Sequence, residues 1–282
     1  MKPTPRSRPF HQVDVFASQA YRGNPLAVVL DAQGLDTATM QHFANWTNLS
    51  ETTFLLPPED PRADYRVRIF TGTEEFPFAG HPTLGSAHAW LQAGGVSQSD
   101  GHVVQECAAG LVRIKRDGGR LAFAAPPLTR FGPVDAAVRG QLAAALRLPV
   151  SAIVDASWLV NGPEWIGVLL ESAAQVLALE PDPAAMGDLK VGVIGPHGPG
   201  AGADFEVRTF LPGDAMAEDP VTGSFNAGAA QWLIGSGRAP EEYVASQGTV
   251  LGRSGRIHVS AEGGDIWVGG DSTTCIRGTV LL

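Results

Sequence analysis

The sequence predicts an α+β protein made of two similar halves, and three observations carry that expectation. Short runs with period-2 alternation, bounded by Gly, Pro and Asn, outnumber the helical stretches. A series of elements in the first half returns in the same order in the second. Between them Pro126-Pro127 interrupts the pattern, which sets the expected domains at 1–125 and from 126 onward.

Gln12 to Phe16 alternates and reads as a first strand, and Tyr21-Arg22-Gly23-Asn24-Pro25 as a turn into a buried strand, Leu26 to Leu30. Asp36 or Thr37 can cap a helix from Ala38 to Asn48. Ser50 to Leu56 is rich in β-branched residues and reads as a strand. Tyr65, Val67 and Ile69 then alternate with Arg66, Arg68 and Phe70. This strand leads through a Gly/Pro-rich loop to Gly80-His81-Pro82-Thr83 and a helix from about Thr83 to Gln92, stopped by Gly94-Gly95. Strands at Val103 to Cys107, Leu111 to Lys115 and Leu121 to Phe123 follow.

The second half reads as a helix (Val134 to Leu146), strands (Ala152 to Val160, Trp165 to Leu170), a short helix (Ser172 to Ala178) and a strand (Val191 to Gly195). Phe205 to Phe210 alternates and leads to Glu218-Asp219-Pro220-Val221-Thr222-Gly223-Ser224 and a helix through Leu233. Thr249 to Leu251, Ile257 to Val259 and Ile266 to Val268 read as the last strands before the C-terminal run.

The repeat is visible residue by residue. Val67-Arg68-Ile69-Phe70 matches Val207-Arg208-Thr209-Phe210, His81-Pro82 matches Asp219-Pro220, and Gly85-Ser86 falls on Gly223-Ser224. The trailing hairpins, Gln105 to Ile114 and Gln247 to Ile257, agree loosely. Two related domains facing each other across a cleft would give this pattern, and such clefts are favoured ligand sites.

Each matched stretch opens a helix, whose first N–H groups lack intrahelical partners and attract anions. Proline at such a start fits, since its missing N–H is not needed there. Gly80, Gly85 and Gly223 would let a ligand approach the backbone, with Thr83, Thr222 and Ser224 adding hydroxyls. His81 and Asp219, at equivalent points of the repeat, are candidates for proton transfer, histidine because it titrates near neutrality. Alone, each would read as a structural histidine and a helix cap.

Other chemistries find little support. There is no GxSxG elbow, no HExxH, no His/Cys cluster with ligand spacing, no GxGxxG and no Walker lysine. The expected site is free of metal and cofactor and holds a small anion. Cys107 and Cys275 form no CxxC pair, and a disulfide between them stays open. The net charge of −9 and scattered basic residues argue against a nucleic-acid partner. No apolar run reaches the roughly 20 residues of a membrane helix, and Met1 to Pro9 is basic without an apolar core, unlike a signal peptide. A cytoplasmic protein is expected.

The motifs Val13-Asp14-Val15-Phe16, Gly23-Asn24-Pro25, Asn48-Leu49-Ser50-Glu51-Thr52-Thr53-Phe54, Phe70-Thr71 through Gly80-His81-Pro82-Thr83, and Glu218 to Ser224 stand in order along nearly the whole chain. Together they resemble the PhzF-like phenazine biosynthesis isomerases, which are similar in fold to diaminopimelate epimerase. The resemblance implies two pseudo-symmetric domains, each a β-rich barrel-like sheet around a central helix, with the active site between them. Residues 272–282 would cross back to the first domain as a strand, leaving 126–271 as the second. It also implies a homodimer and a small carboxylic-acid substrate, one candidate being a dihydro-hydroxyanthranilate. Glu51 falls on the family's general acid/base, His81 and Asp219 on site-lining residues, and Ser50, Gly80, Gly223 and Ser224 on substrate-binding positions. Glu51 also suits a base on its own terms: no Lys or Arg is near it in sequence, and apolar Leu49 and Phe54 flank it. The epimerase-type cysteines are missing at the helix entrances, where Ala79 and Asp219 stand. A two-thiol amino-acid racemase is therefore disfavoured, and a non-catalytic anion-binding protein is the other alternative.

Overall fold

The computed structural model describes residues 5–211 and 218–282. It divides into two units, Met1–Ala124 with Gly269–Leu282, and Ala125–Val268. Of the second Gly/Pro-rich loop, Pro212, Gly213 and Asp214 lie outside the described residues, as does the start of the N-terminal basic stretch.

The first unit contains β1 (Ser7–Val15), β2 (Asn24–Val29), α1 (Thr37–Thr47), β3 (Thr52–Leu56), β4 (Tyr65–Phe70), β5 (Glu75–Phe76), α2 (Gly80–Gln92), β6 (His102–Cys107), β7 (Gly110–Asp117) and β8 (Arg120–Ala124). Strand β1 pairs antiparallel with β2, β2 runs parallel to β3, and β3 is antiparallel to β4. Strand β4 pairs antiparallel with β5 and parallel with β6, and β6, β7 and β8 form an antiparallel meander.

The second unit contains β9 (Arg130–Pro133), α3 (Ala136–Ala145), β10 (Asp155–Val160), β11 (Glu164–Leu169), α4 (Ala173–Leu177), α5 (Pro183–Met186), β12 (Lys190–Pro196), β13 (Phe205–Phe210), β14 (Glu218–Asp219), α6 (Gly223–Gly235), β15 (Glu242–Gln247) and β16 (Gly255–Glu262), followed by β17 (Asp265–Gly270). Its ladders repeat those of the first: β10 antiparallel to β11, β11 parallel to β12, β12 antiparallel to β13. Strand β13 again pairs antiparallel with a two-residue strand, β14, and parallel with the strand after the helix, β15. The last strand, β18 (Ser272–Leu281), runs antiparallel to β1, just as β9 runs antiparallel to β10. The repeat read from side chains is thus a repeat of backbone hydrogen bonding.

Each unit carries a buried helix against its strands. Helix α2 packs on β1, β2 and β8, and α6 on β10, β11 and β16. From Gly80 to Ala87 every residue of α2 is buried, which explains why an amphipathic stripe is absent from its sequence. The close approach is made by glycine. A Cβ at Gly85 would lie 2.5 Å from Leu26 Cδ2 and 2.9 Å from Val15 Cγ2, and one at Gly192 would lie 2.1 Å from the Phe225 ring. Gly85 therefore serves helix packing and not the ligand approach expected of it. Beneath α1 a separate cluster joins Met40, Ala44, Phe54 and Phe70, where each large side chain contributes about 1.5–3 kcal/mol by leaving water.

Most expected elements occur within a few residues of their predicted ends. Thr249–Leu251 differs: it is a single 3₁₀ turn held between Gly248 and Gly252, both at positive φ (85° and 70°). Its β-branched composition misleads because the flanking left-handed glycines close the chain into a turn. The neighbouring strand is instead β15. The expected strand from Ala152 begins at Asp155, after a turn at Val150–Ala152. Among the described residues no helix is long and apolar enough to cross a membrane.

Candidate active site

Glu51 is placed by the way α1 ends. Asn48 closes the helix in the left-handed conformation, φ 55°, with its N–H bonded to the Asn45 carbonyl. The Thr47 hydroxyl then bonds the Ala44 carbonyl and lies 2.9 Å from the Thr52 hydroxyl, tying the helix end to the start of β3. Ser50 and Glu51 occupy this corner. The parallel register Ala27↔Thr52 brings them to the start of β2.

The start of β2 is itself fixed. The Asp14 carboxylate, 2% exposed, accepts the Arg22 and Gly23 N–H groups at 2.7 and 2.8 Å. A Cβ at Gly23 would stand 2.1 Å from the Val15 carbonyl oxygen, so only glycine lets the chain turn here. Asn24 and Pro25 follow and meet His81. The Asn24 amide nitrogen is 3.5 Å from His81 Nδ1, and the ring bonds the Pro25 carbonyl.

His81 stands in the first turn of α2, which begins at Gly80 and not at Thr83; its N-cap, Ala79, provides no side-chain hydrogen bond. His81 Nε2 lies 3.5 Å from Glu51 Oε2, with the two side chains 5% and 14% exposed. At that distance the pair would be an ion pair only if the ring were protonated. Burial opposes this, and the Pro25 carbonyl only partly offsets it, so the imidazole pKa is pushed down to about 3. The near-neutral titration expected of His81 is thereby corrected. The ring is a neutral imidazole across the physiological range, set against a carboxyl group.

Thr83 is fully buried, and its hydroxyl accepts from Gln105 Nε2 at 3.0 Å, while Gln105 Oε1 accepts from Tyr65. Its side chain is therefore spent on the interior under α2. In the first unit the structure brings together Glu51, His81, Ser50 and Gly80.

In the second unit Asp219 lies on β14, ahead of the helix, and the N-cap of α6 is Thr222. The Thr222 hydroxyl donates to Asp219 Oδ2 at 2.5 Å. Gly223 is the first helical residue. Ser224 Oγ accepts from Trp165 Nε1 at 3.0 Å, and its carbonyl accepts from Asn161 at 2.8 Å. Strand β14 is held by Arg208, 4% exposed. Its guanidinium binds Glu218 through Nε and Nη2 at 2.9 and 2.8 Å, and Nη1 binds the Leu179 carbonyl at 2.7 Å.

Sequence reasoning gave no part in the site to Asn24, which it read as a turn residue and as part of a motif, nor to Thr222 and Gln247 as a pair. The alignment of Gln105 with Gln247 was the available signal, since both side chains reach under a helix entrance. Cys107 and Cys275 are free thiols, and burial pushes both up. Among the described residues no group of His, Cys, Asp and Glu could hold a metal ion.

Residues 13–279 match the model of the phenazine biosynthesis-like protein family. The chain belongs to that family. The trans-2,3-dihydro-3-hydroxyanthranilate isomerase of Pseudomonas aeruginosa is 34% identical, with 89% of each chain aligned. The antisense-enhancing sequence 1 protein of Schizosaccharomyces pombe is 37% identical over 97% of this chain and 98% of its own. A solved PhzF-family structure from Enterococcus faecalis superposes with a TM-score of 0.81 at 26% identity, covering 98% of this chain and 100% of that one. The α+β fold class implied by the resemblance is the one found, and the protein is an isomerase of the phenazine biosynthesis-like family.

Proposed function

We propose that this isomerase moves a proton between carbons of a small cyclic or unsaturated carboxylic acid, with Glu51 as the acid/base. The buried Glu51–His81 contact supports this reading above all: a carboxyl group, 14% exposed, faces a histidine that burial keeps neutral. A C–H bond breaks, its electron pair enters an extended enolate, and Glu51 takes the proton. An O–H bond then breaks as Glu51 returns the proton at another carbon. No electrons leave the substrate, so the step balances without an oxidant.

Neutral His81 is suited to steadying the Glu51 carboxyl and to taking up its proton for an instant, and not to resting as an imidazolium acid. The N–H groups of Gly80 and His81 open α2 without intrahelical partners, and they favour the substrate carboxylate and the developing enolate. The resemblance gives Asp219 a part in the same reaction, and Ser50, Gly223 and Ser224 a part in binding. It also supports a homodimer, and the basic N-terminal stretch without an apolar core supports a place in the cytoplasm. A dihydro-hydroxyanthranilate, the kind of compound named for the Pseudomonas aeruginosa relative, is the first substrate to try.

Incubation with trans-2,3-dihydro-3-hydroxyanthranilate and a panel of cyclic and unsaturated acids in D₂O, followed by NMR, tests the proposal. The expected result is an isomer carrying deuterium at the newly protonated carbon. Absence of both isomerisation and deuterium across the panel would count against it.

A further inference from the structure

Gln247 is 1% exposed, and both ends of its amide are used. Its Oε1 accepts from the Thr222 N–H and from Asn226 Nδ2, both at 3.0 Å, closing the N-terminus of α6. Its Nε2 faces Thr209 Oγ1 at 2.9 Å, Thr222 Oγ1 at 3.0 Å and the Asp219 carbonyl at 3.2 Å. Thr209 Oγ1 lies 2.6 Å from Thr222 Oγ1.

The hydrogens on this network can be assigned by counting. A hydroxyl has one hydrogen and two acceptor positions, and an amide nitrogen only donates. With the Thr222 hydrogen on Asp219 Oδ2, Thr222 Oγ1 accepts from Gln247 and from Thr209, whose oxygen in turn accepts from Gln247. Both acceptor positions of Thr222 are then filled, and its single hydrogen lies on the 2.5 Å contact to Asp219 Oδ2. A hydrogen bond to an ionised oxygen is among the shorter and stronger ones, and this arrangement is matched to a carboxylate that accepts, not to a carboxylic acid that donates.

We propose that Thr222 and Gln247 are positioning residues for Asp219, holding its carboxylate in one orientation as a proton acceptor. The inference rests on the part in the reaction given to Asp219 above. Gln247 acts on the Asp219 carboxylate through the Thr222 hydroxyl, and it caps α6 with its other end. The Asp219 side is further secured by the Arg208–Glu218 pair one residue upstream. In the first unit the matching Gln105 ends on Thr83 and Tyr65. The relay to an acid is therefore particular to the second unit.

Crystal structures of Thr222→Val and Thr222→Ser test the inference without a substrate. In the serine variant Asp219 keeps its single rotamer. In the valine variant it turns away or spreads over several, while α6 and Gln247 stay in place. Gln247→Met, which removes the donor to Thr222 at similar volume, disorders the Thr222 hydroxyl and Asp219 together. An unmoved Asp219 in Thr222→Val would overturn the proposal. With turnover of trans-2,3-dihydro-3-hydroxyanthranilate as a second readout, Thr222→Val lowers kcat at least tenfold with KM within about twofold, Thr222→Ser restores it, and Thr222→Val adds no loss to Asp219→Asn. Full turnover by Asp219→Asn would instead remove the reading underneath, whatever the two crystal structures show.

Discussion

Replacing His81 by Gln gives a stability test whose sign distinguishes two descriptions of the Glu51–His81 pair. The folded-state pKa is about 3 against 6.5 for an ordinary histidine. Between those values the unfolded chain binds a proton that the folded one refuses, so stability from this group rises with pH and is lost as pH falls below 6.5. From pH 7 to pH 5 the loss is about 2 kcal/mol, at roughly 1.4 kcal/mol per pH unit once well below 6.5, and it levels off below about 3. Urea unfolding of both proteins at intervals from pH 7.5 to 5, monitored by fluorescence, isolates the effect. The difference in stability, unaltered protein minus His81→Gln, falls by about 2 kcal/mol between pH 7 and pH 5. His11 and His88, which burial also pushes down, are common to both proteins and cancel. Were the pair instead an imidazolium–carboxylate ion pair, the histidine pKa would be raised and the difference would grow as pH falls. A rising or flat difference would refute the argument.

Other consequences are simpler to read. Gly85→Ala and Gly192→Ala force a methyl into space taken by Leu26 and Val15 or by the Phe225 ring, and each destabilises by about 1–3 kcal/mol in denaturant unfolding. Arg208→Met strands Glu218, 14% exposed, and leaves the Leu179 carbonyl without its donor, costing roughly 3 kcal/mol or more. Its counterpart Arg68→Met breaks a pair 25% and 33% exposed and costs about 1 kcal/mol or less; equal losses would contradict the role assigned to burial.

Much of the fold was legible because strands announce themselves by alternation. Tyr65–Phe70 and Phe205–Phe210 were read at their observed ends, and Asp36 caps α1 through the Thr39 N–H as its position suggested. Where flanking glycines set the backbone, composition misled, as at Thr249–Leu251. In the first unit the meeting of Glu51 and His81 was legible, but the state of the pair was not. Proximity of Glu51 and His81 followed from motifs and a resemblance, whereas the neutrality of His81 arises from surroundings assembled by β2, β3 and α2 together. Thr83 illustrates the same limit: a hydroxyl at a helix entrance looks available until Gln105, on another strand, is seen to claim it. Taken alone Asp219 would read as a cap, yet the cap of α6 is Thr222, three residues on, because the register between Pro220 and the helix start cannot be read from residue types alone.

The central claim, that Glu51 carries the proton, is tested most directly by Glu51→Gln, which keeps size and removes the acid/base group. Turnover of the substrate found in D₂O should fall by at least three orders of magnitude, the scale of an essential proton-transfer group, while calorimetric affinity for that acid stays within a few fold. Turnover within tenfold of the unaltered protein would contradict the account.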